Sequence, residues 1–317
     1  MERLEILVGG AADTTGRRGA RLSAAADTGR LLRLAPARYV DADAWRRADP
    51  GTRHVARVRA VHGRLSERLI VSHASAAALH GLPWRGEFPD VVEVIDTQRT
   101  TTQSLRSVRK HPGQNRSLQT VRMTTTGRRV TDIVVTAIDI AIAHELRLSV
   151  PILDVVLRRG VDRAALTTEL AGRSAVHGRA RATAAIELAD ALSGSPGESV
   201  ARVALDEVGA PRPELQREFH DDAGFVARVD FWFPEQGVVL EFDGRAKYTD
   251  ASMRDAGTTA ADVVYAEKRR EDRLRRVPGV NGIGRFGWTE ANDAELLRAL
   301  LRSCGVPMVE RSFRTVR

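Results

Sequence analysis

The 317-residue chain has a single cysteine, Cys304, only three lysines, and few aromatic residues, 5% in all. One thiol excludes an internal disulfide framework and any multi-cysteine zinc site, and it fits a protein expected in a reducing cytoplasm. No apolar run approaches the roughly 18 residues that a spanning helix needs. The most apolar stretch, TDIVVTAIDIAIAHE, is interrupted by Asp132 and Asp139. The opening MERLEILVGG places acids before a very short apolar run, so it is not expected to act as a leader. What remains, 43% hydrophobic and 28% charged, is the composition of ordinary folded domains, and the length allows two or three with cores of their own.

Lysine is rare against 49 basic residues in total, the bias of an arginine-rich coding sequence. Two of the three lysines, Lys247 and Lys268, follow the acidic stretch analysed below; the third is Lys110. The net charge of +8 is unevenly spread. Residues 1–196 carry 30 Lys and Arg against 20 Asp and Glu, and residues 197–317 carry 19 against 21. A basic first part beside a slightly acidic second part predicts that contact with a polyanion and the chemistry are divided between them.

Along the chain, residues 1–60 suggest a winged-helix-like piece. TTGRRGARLSAAADTGRLLRL offers a basic helix, and RLLRLAPARYV a strand, turn and strand. A helix-turn-helix with a β-wing would set Arg17, Arg18 and Arg21 at a DNA groove, although a solvated Arg/Ala helix has the same pattern. LIVSHASAAALHGLP reads as a strand and then a helix capped by Ser72; His73 and His80 share a helical face as packed polar residues. Asp90–Asp96 alternates as a strand, and three short helices precede SGSPG (193–197), the clearest break in the chain. Residues 61–192 then form a mixed α/β region, and residues 195–317 a second one. The latter reads as a helix over 196–208, strands over 226–233 and 238–243, a helix over 262–277, an irregular strand near 283–288 and a helix over 291–303.

The decisive stretch is RVDFWFPEQGVVLEFDG, Arg228 to Gly244. With Pro234–Gly237 as a four-residue loop, Phe233 pairs with Val238, Trp232 with Val239 and Phe231 with Leu240. Asp230 then falls opposite Glu241, and Arg228 opposite Asp243. Val229, Phe231, Phe233, Val238, Leu240 and Phe242 line one face; Glu241 and Asp243, with Asp230 beside them, line the other. Opposed carboxylates some 5 Å apart destabilise a sheet, and a hard divalent cation resolves the conflict. Neutralisation by Arg228 and Arg245 on a solvated face is the plainer alternative. Glu198, at Ser-x-x-Glu spacing from Ser195, reads equally as a capping box and as a further carboxylate for the same site.

A helix-borne Glu198, then Asp230, then Glu241-Phe-Asp243-Gly244 resembles the PD-(D/E)XK nuclease superfamily, and within it the very-short-patch-repair branch. The pair DFWFPEQGVVLEFDG followed by YAEKRREDRLRR carries the likeness over residues 195–303. It implies an α/β (α+β) chain with a restriction-endonuclease-like C-terminal domain that binds DNA and uses Mg²⁺, or Mn²⁺ in its place, for phosphodiester hydrolysis. By position it implies Asp230, Glu241 and Asp243 as metal ligands. It likewise implies Glu198, Lys247 and Lys268 as assisting catalytic groups and Arg269 and Arg270 as DNA contacts. Asp243 stands where the general pattern has lysine. Lys268 and Asp272, four apart on one helix, can instead pair with each other. Three glycines in PGVNGIGRFGW weaken the strand expected there. The first two thirds resemble, more loosely, AbiEi-type (type IV) antitoxins, through RLLRLAPARYV, VSHASAAALHGLP and GRRVTDIVVTAIDIA. That likeness implies DNA binding, transcriptional control and a cognate toxin as partner. Two functions are therefore expected in competition: a Mg²⁺-dependent endonuclease, or a DNA-binding regulator that keeps a nuclease-like domain as scaffold.

Overall fold

The computed structural model describes residues 3–9, 17–114, 116, 118–122, 127–173, 177–244 and 260–309, with only the backbone at 260–264. The chain is of mixed α/β class and divides into two compact units. One unit holds Met1–His144 with Gly160–Thr183, and the other holds Glu145–Arg159 with Ala184–Arg317. The division therefore does not fall at the Ser193–Gly197 break, because a helical segment from before that break belongs to the second unit. No helix among the described residues is long and apolar enough to cross a membrane.

In the first unit, strand β1 (Leu7–Val8), helix α1 (Arg17–Asp27) and the hairpin β2 (Leu31–Ala35)–β3 (Arg38–Asp41) open the fold. They form a three-stranded sheet in the order β1-β3-β2. Helices α2 (Ala42–Arg47) and α3 (Pro50–Val61) follow, each started by an aspartate, Asp41 and Asp49, whose carboxylate accepts a free backbone N–H of the first turn. Next come β4 (Leu69–Val71), α4 (His73–Leu79), β5 (Val92–Asp96), β6 (Gln103–Ser104), β7 (Val108–Pro112), β8 (Thr120–Arg122) and β9 (Arg129–Thr131). These strands make a mixed six-stranded sheet in the order β6-β7-β5-β4-β9-β8. The central strands β4 and β5 are buried at every position, as an interior sheet requires. Helices α5 (Ile133–Ala143) and α7 (Arg163–Ala171) belong to the same unit. His73 and His80 serve different contacts: His73 stacks on His111 with ring centroids 3.7 Å apart, while His80 bonds the Thr131 carbonyl.

Burial has a measurable consequence at His54 on α3. Its ring is 1% exposed and meets the Ser75 hydroxyl at 2.8 Å. Loss of hydration pushes its pKa down to about 4. Since the folded value lies below the ordinary one, the imidazole takes up a proton on unfolding, and stability falls as pH drops from about 6.5 towards 4. His54→Gln is therefore expected to flatten the pH slope of stability by about 1 kcal/mol per pH unit between pH 6 and 4.5. Urea unfolding of both proteins over that range checks it.

The second unit contains α6 (Leu146–Arg158), the end of α8 (Arg179–Leu188), α9 (Pro196–Glu207), β10 (Glu214–Asp221), β11 (Gly224–Phe233), β12 (Val238–Phe242), α10 (Ala260–Leu274), β13 (Gly282–Phe286), α11 (Trp288–Ala291) and α12 (Ala294–Ser303). Its four-stranded sheet runs β10-β11-β12-β13, antiparallel except for the parallel pair β12–β13. One core joins Phe231, Phe233, Val238, Leu240 and Phe242 to Ala201, Ala204 and Leu205 of α9 and to Leu297 and Leu301 of α12. A second core joins Phe219, Val229, Trp232 and Val239 to Leu274 of α10. With helices against both sets of sheet residues, α9 is buried at eight consecutive positions, Glu198 to Leu205. The glycine-rich strand is regular: β13 pairs with β12 over five residues, from Val238–Gly282 to Phe242–Phe286.

Candidate functional site

The hairpin register is Phe233–Val238, Trp232–Val239 and Phe231–Leu240, as the four-residue turn requires, and there the ladder stops. Asp230 is the next residue, and on its other side the β10–β11 ladder lacks one pair, Gln216 with Asp230. Gln216 has φ +53°, a left-handed conformation that an unbranched polar residue adopts at a cost. Asp230 thus sits where β11 loses regular pairing on both edges. Its carboxylate replaces part of the ladder: Oδ2 accepts from the Phe242 N–H at 2.9 Å, and Oδ1 from Gln216 Nε2 at 3.1 Å. The same irregularity corrects the expected face of Val229, which packs with Trp232 and Val239 rather than with Phe231.

Glu198 arrives from the first turn of α9, and its carboxylate turns back to the residues just before the helix. Ser195 caps the helix by accepting from the Glu198 N–H and donates its hydroxyl to Glu198 Oε1 at 2.9 Å. Glu198 Oε2 accepts from the Gly194 N–H at 2.7 Å and from Gln216 Nε2 at 2.9 Å. One carboxamide nitrogen therefore serves two carboxylates, Glu198 and Asp230, from different elements. Glu198 is 5% exposed. Every described contact to this pair comes from a neutral donor, and no ion pair to either carboxylate is found among the described residues.

Glu241 is placed differently. Arg270 of α10 holds both its oxygens, at 2.9 and 3.0 Å, and also binds Glu267 at 2.8 Å. Hydrogen bonds to Glu267 and then Glu241 hold the guanidinium well above its ordinary pKa. Arg270, expected at DNA, is thus turned inward as the counter-charge of Glu241, and Arg228 pairs in the sheet with Glu218 rather than with Asp243. Asp243, just past β12, is half-buried and makes no side-chain hydrogen bond or ion pair among the described residues; its N–H bonds Phe286 O at 2.8 Å. Lys268 and Arg269 are exposed on α10, and Lys268 forms no ion pair with the exposed Asp272. Lys247 and Arg245 lie outside the described residues. In the first unit Arg17, Arg18 and Arg21 are all exposed on α1, a helix with no buried residue.

Among the described residues no three His, Cys, Asp or Glu side chains form a group able to hold a metal ion. Asp230, Glu241 and Asp243 are therefore not a ready-made triad, because α10 claims Glu241. A pair remains, Glu198 with Asp230, and Mg²⁺ is commonly held by one or two carboxylates completed by water and substrate phosphate. That donor set fits such an ion.

No known family pattern matches the chain. It is similar to two curated proteins, the uncharacterized protein MT2308 of Mycobacterium tuberculosis strain CDC 1551 / Oshkosh and the uncharacterized protein Rv2248 of strain ATCC 25618 / H37Rv. Each is 28% identical over 157 residues, which cover 46% of this chain and 58% of the relative. The chain thus spans a little over half the length of these relatives.

The sequence pointed to the acids but not to Gln216. Gln216 lies on a polar edge strand that alternation does not reveal, and its only signal is Gln between Leu215 and Arg217 where an apolar alternation would begin.

Proposed function

We propose that this chain is a cytoplasmic, DNA-directed, Mg²⁺-dependent phosphodiester hydrolase of the nuclease type. The observation that carries the reading is the Glu198–Asp230 pair, two carboxylates that share one amide donor and have no cation beside them among the described residues. Placing a buried acid, Glu198, beside a half-buried one, Asp230, without counter-charge is unfavourable for a scaffold and useful for holding a hard cation. The chemistry such an ion supplies is activation of water and stabilisation of charge on the scissile phosphate. Glu198 and Asp230 would hold it, Ser195 and the Gly194 N–H orient Glu198, and the Phe242 N–H fixes Asp230. Exposed Lys268 and Arg269, and separately Arg17, Arg18 and Arg21, supply sequence-independent grip on phosphates that weakens steeply with salt.

A second reading has its own support. Arg270 neutralises Glu241 internally, as in a DNA-binding regulator that has kept the fold without the chemistry, with a toxin as its partner. One experiment separates the two: Mg²⁺ and Mn²⁺ titration by calorimetry beside nicking of supercoiled plasmid, for wild type and Asp230→Ala. The hydrolase reading expects metal uptake and nicking in the wild type, with a loss of at least about 100-fold in the variant. Uptake without cleavage of plasmid, mismatched or single-stranded DNA selects the regulator. No uptake at all rejects the metal site.

A further inference from the structure

We infer that Gln216 is the positioning residue of this acid pair, its carboxamide NH₂ occupying between Glu198 and Asp230 the place that the divalent cation takes. The inference rests on the hydrolase reading above and adds to it a residue that neither the motif nor the relatives assign.

Three independent features converge on Gln216. Its Nε2 lies 2.9 Å from Glu198 Oε2 and 3.1 Å from Asp230 Oδ1, so one amide hydrogen is directed to each acid. Its backbone is left-handed at φ +53°, in the middle of a strand and at the one pair missing from the β10–β11 ladder. A regular strand residue there would place its side chain by the sheet's alternation; the left-handed turn instead re-aims it at the acids, and that conformational cost persists where the surroundings over-determine it. Space is also reserved: a Cβ on Gly194 would stand 2.9 and 3.0 Å from the Glu198 oxygens and 3.3 Å from Gln216 Nε2. Glycine at 194 leaves the carboxylate and the amide side by side. The amide carries partial positive charge where the acids call for a full one, so it keeps them apart and correctly placed, and gives way to a cation that binds oxygen far more strongly.

The test uses the full chain, Mn²⁺ as probe, and two substitutions. Gln216→Gly deletes the amide while accepting the left-handed backbone; Gln216→Glu keeps the length and replaces the donor by a third carboxylate. Calorimetry is expected to show Mn²⁺ bound about tenfold more weakly by Gln216→Gly, the usual scale for an outer-shell partner, and more tightly by Gln216→Glu than by wild type. In the metal-free proteins, amide exchange of Gly194 and Phe242, the N–H groups held by the two acids, is expected to quicken at least about tenfold in Gln216→Gly, while α12 amides stay unchanged. Mn²⁺ uptake by wild type with equal affinity in both variants would overturn the role of Gln216 and leave the hydrolase reading standing. No Mn²⁺ uptake by wild type would instead overturn that reading and the stand-in role with it, and unchanged Gly194 and Phe242 exchange would then reject the positioning role as well. If Gln216→Glu fails to fold without metal, folding on addition of Mn²⁺ supports the inference, and failure to fold with it counts against.

Discussion

Asp154→Ala is expected to lower the unfolding free energy by about 3–5 kcal/mol, read by urea unfolding. Asp154 of α6 is 0% exposed and accepts from Arg202 of α9 at 2.6 and 2.8 Å, and from the Asp190 N–H at 2.6 Å. Burial pushes its carboxyl pKa up, and the adjacent guanidinium works against that shift. Arg202, 3% exposed, depends on this contact: among the described residues only its Nη2 is engaged, and its buried Nε and Nη1 have no hydrogen-bond partner. Removing the carboxylate would leave a buried cation with nothing to balance it, which costs more than the pair itself contributes. The double variant Asp154→Leu/Arg202→Met is therefore expected to recover most of the loss, because an apolar pair of similar volume avoids both desolvation penalties. Equal losses in the single and double variants would show that packing, and not charge, is what α6 and α9 share here.

Gly237→Ala is expected to cost about 2–4 kcal/mol and to broaden or weaken the unfolding transition of the second unit. Gly237 closes the β11–β12 turn at φ +66°, where a side chain costs about 1–2 kcal/mol. A Cβ there would also stand 2.3 Å from the Gly279 carbonyl oxygen and 2.4 Å from Asn281 Nδ2. Backbone cannot step aside as a side-chain tip does, so overpacking adds roughly 1–3 kcal/mol. The Gly237 carbonyl accepts from Asn281 N–H at 2.6 Å and Gly282 N–H at 3.2 Å, tying the turn to the start of β13. The substitution would therefore disturb two strand pairings together. A measured loss below 1 kcal/mol would mean that the turn relaxes freely and does not hold the register.

The hairpin was legible because three signals agreed: a turn of defined length, alternating large apolar residues, and acids at its inner end. The strand pairing up to Phe231–Leu240 follows from them. What lay beyond was set by distant partners. Val229 left its expected face because β11 is irregular at Asp230, and that depends on Gln216 of a strand with mostly exposed residues. An edge strand needs charge to discourage further pairing, and the same charge hides its alternation. Glu241 and Arg270 are 29 positions apart, so no local pattern could reveal that α10 would supply the counter-charge. Conversely, the glycines before Phe286 suggested a weak strand, yet Gly282 and Gly284 pair in register with Val238 and Leu240. The Lys268–Asp272 pairing was legible only as an option; the pairs three or four positions apart that form along this stretch are Glu267–Arg270 and Glu271–Arg275.

The composition of the second unit bears on how it can be inherited. Its sheet and α9 are contiguous in sequence, but α6 is contributed by Glu145–Arg159, with Gly160–Thr183 of the other unit intervening. Arg202 binds Asp154 of α6, 48 positions earlier, so the helix that carries Glu198 at its start is anchored by a segment encoded well upstream. A gene fragment beginning at the Ser193 break would carry every acid of the candidate site and none of that anchor. The unit is thus no free-standing cassette that recombination could move by a single cut; the two stretches must travel together, and with them whatever lies between.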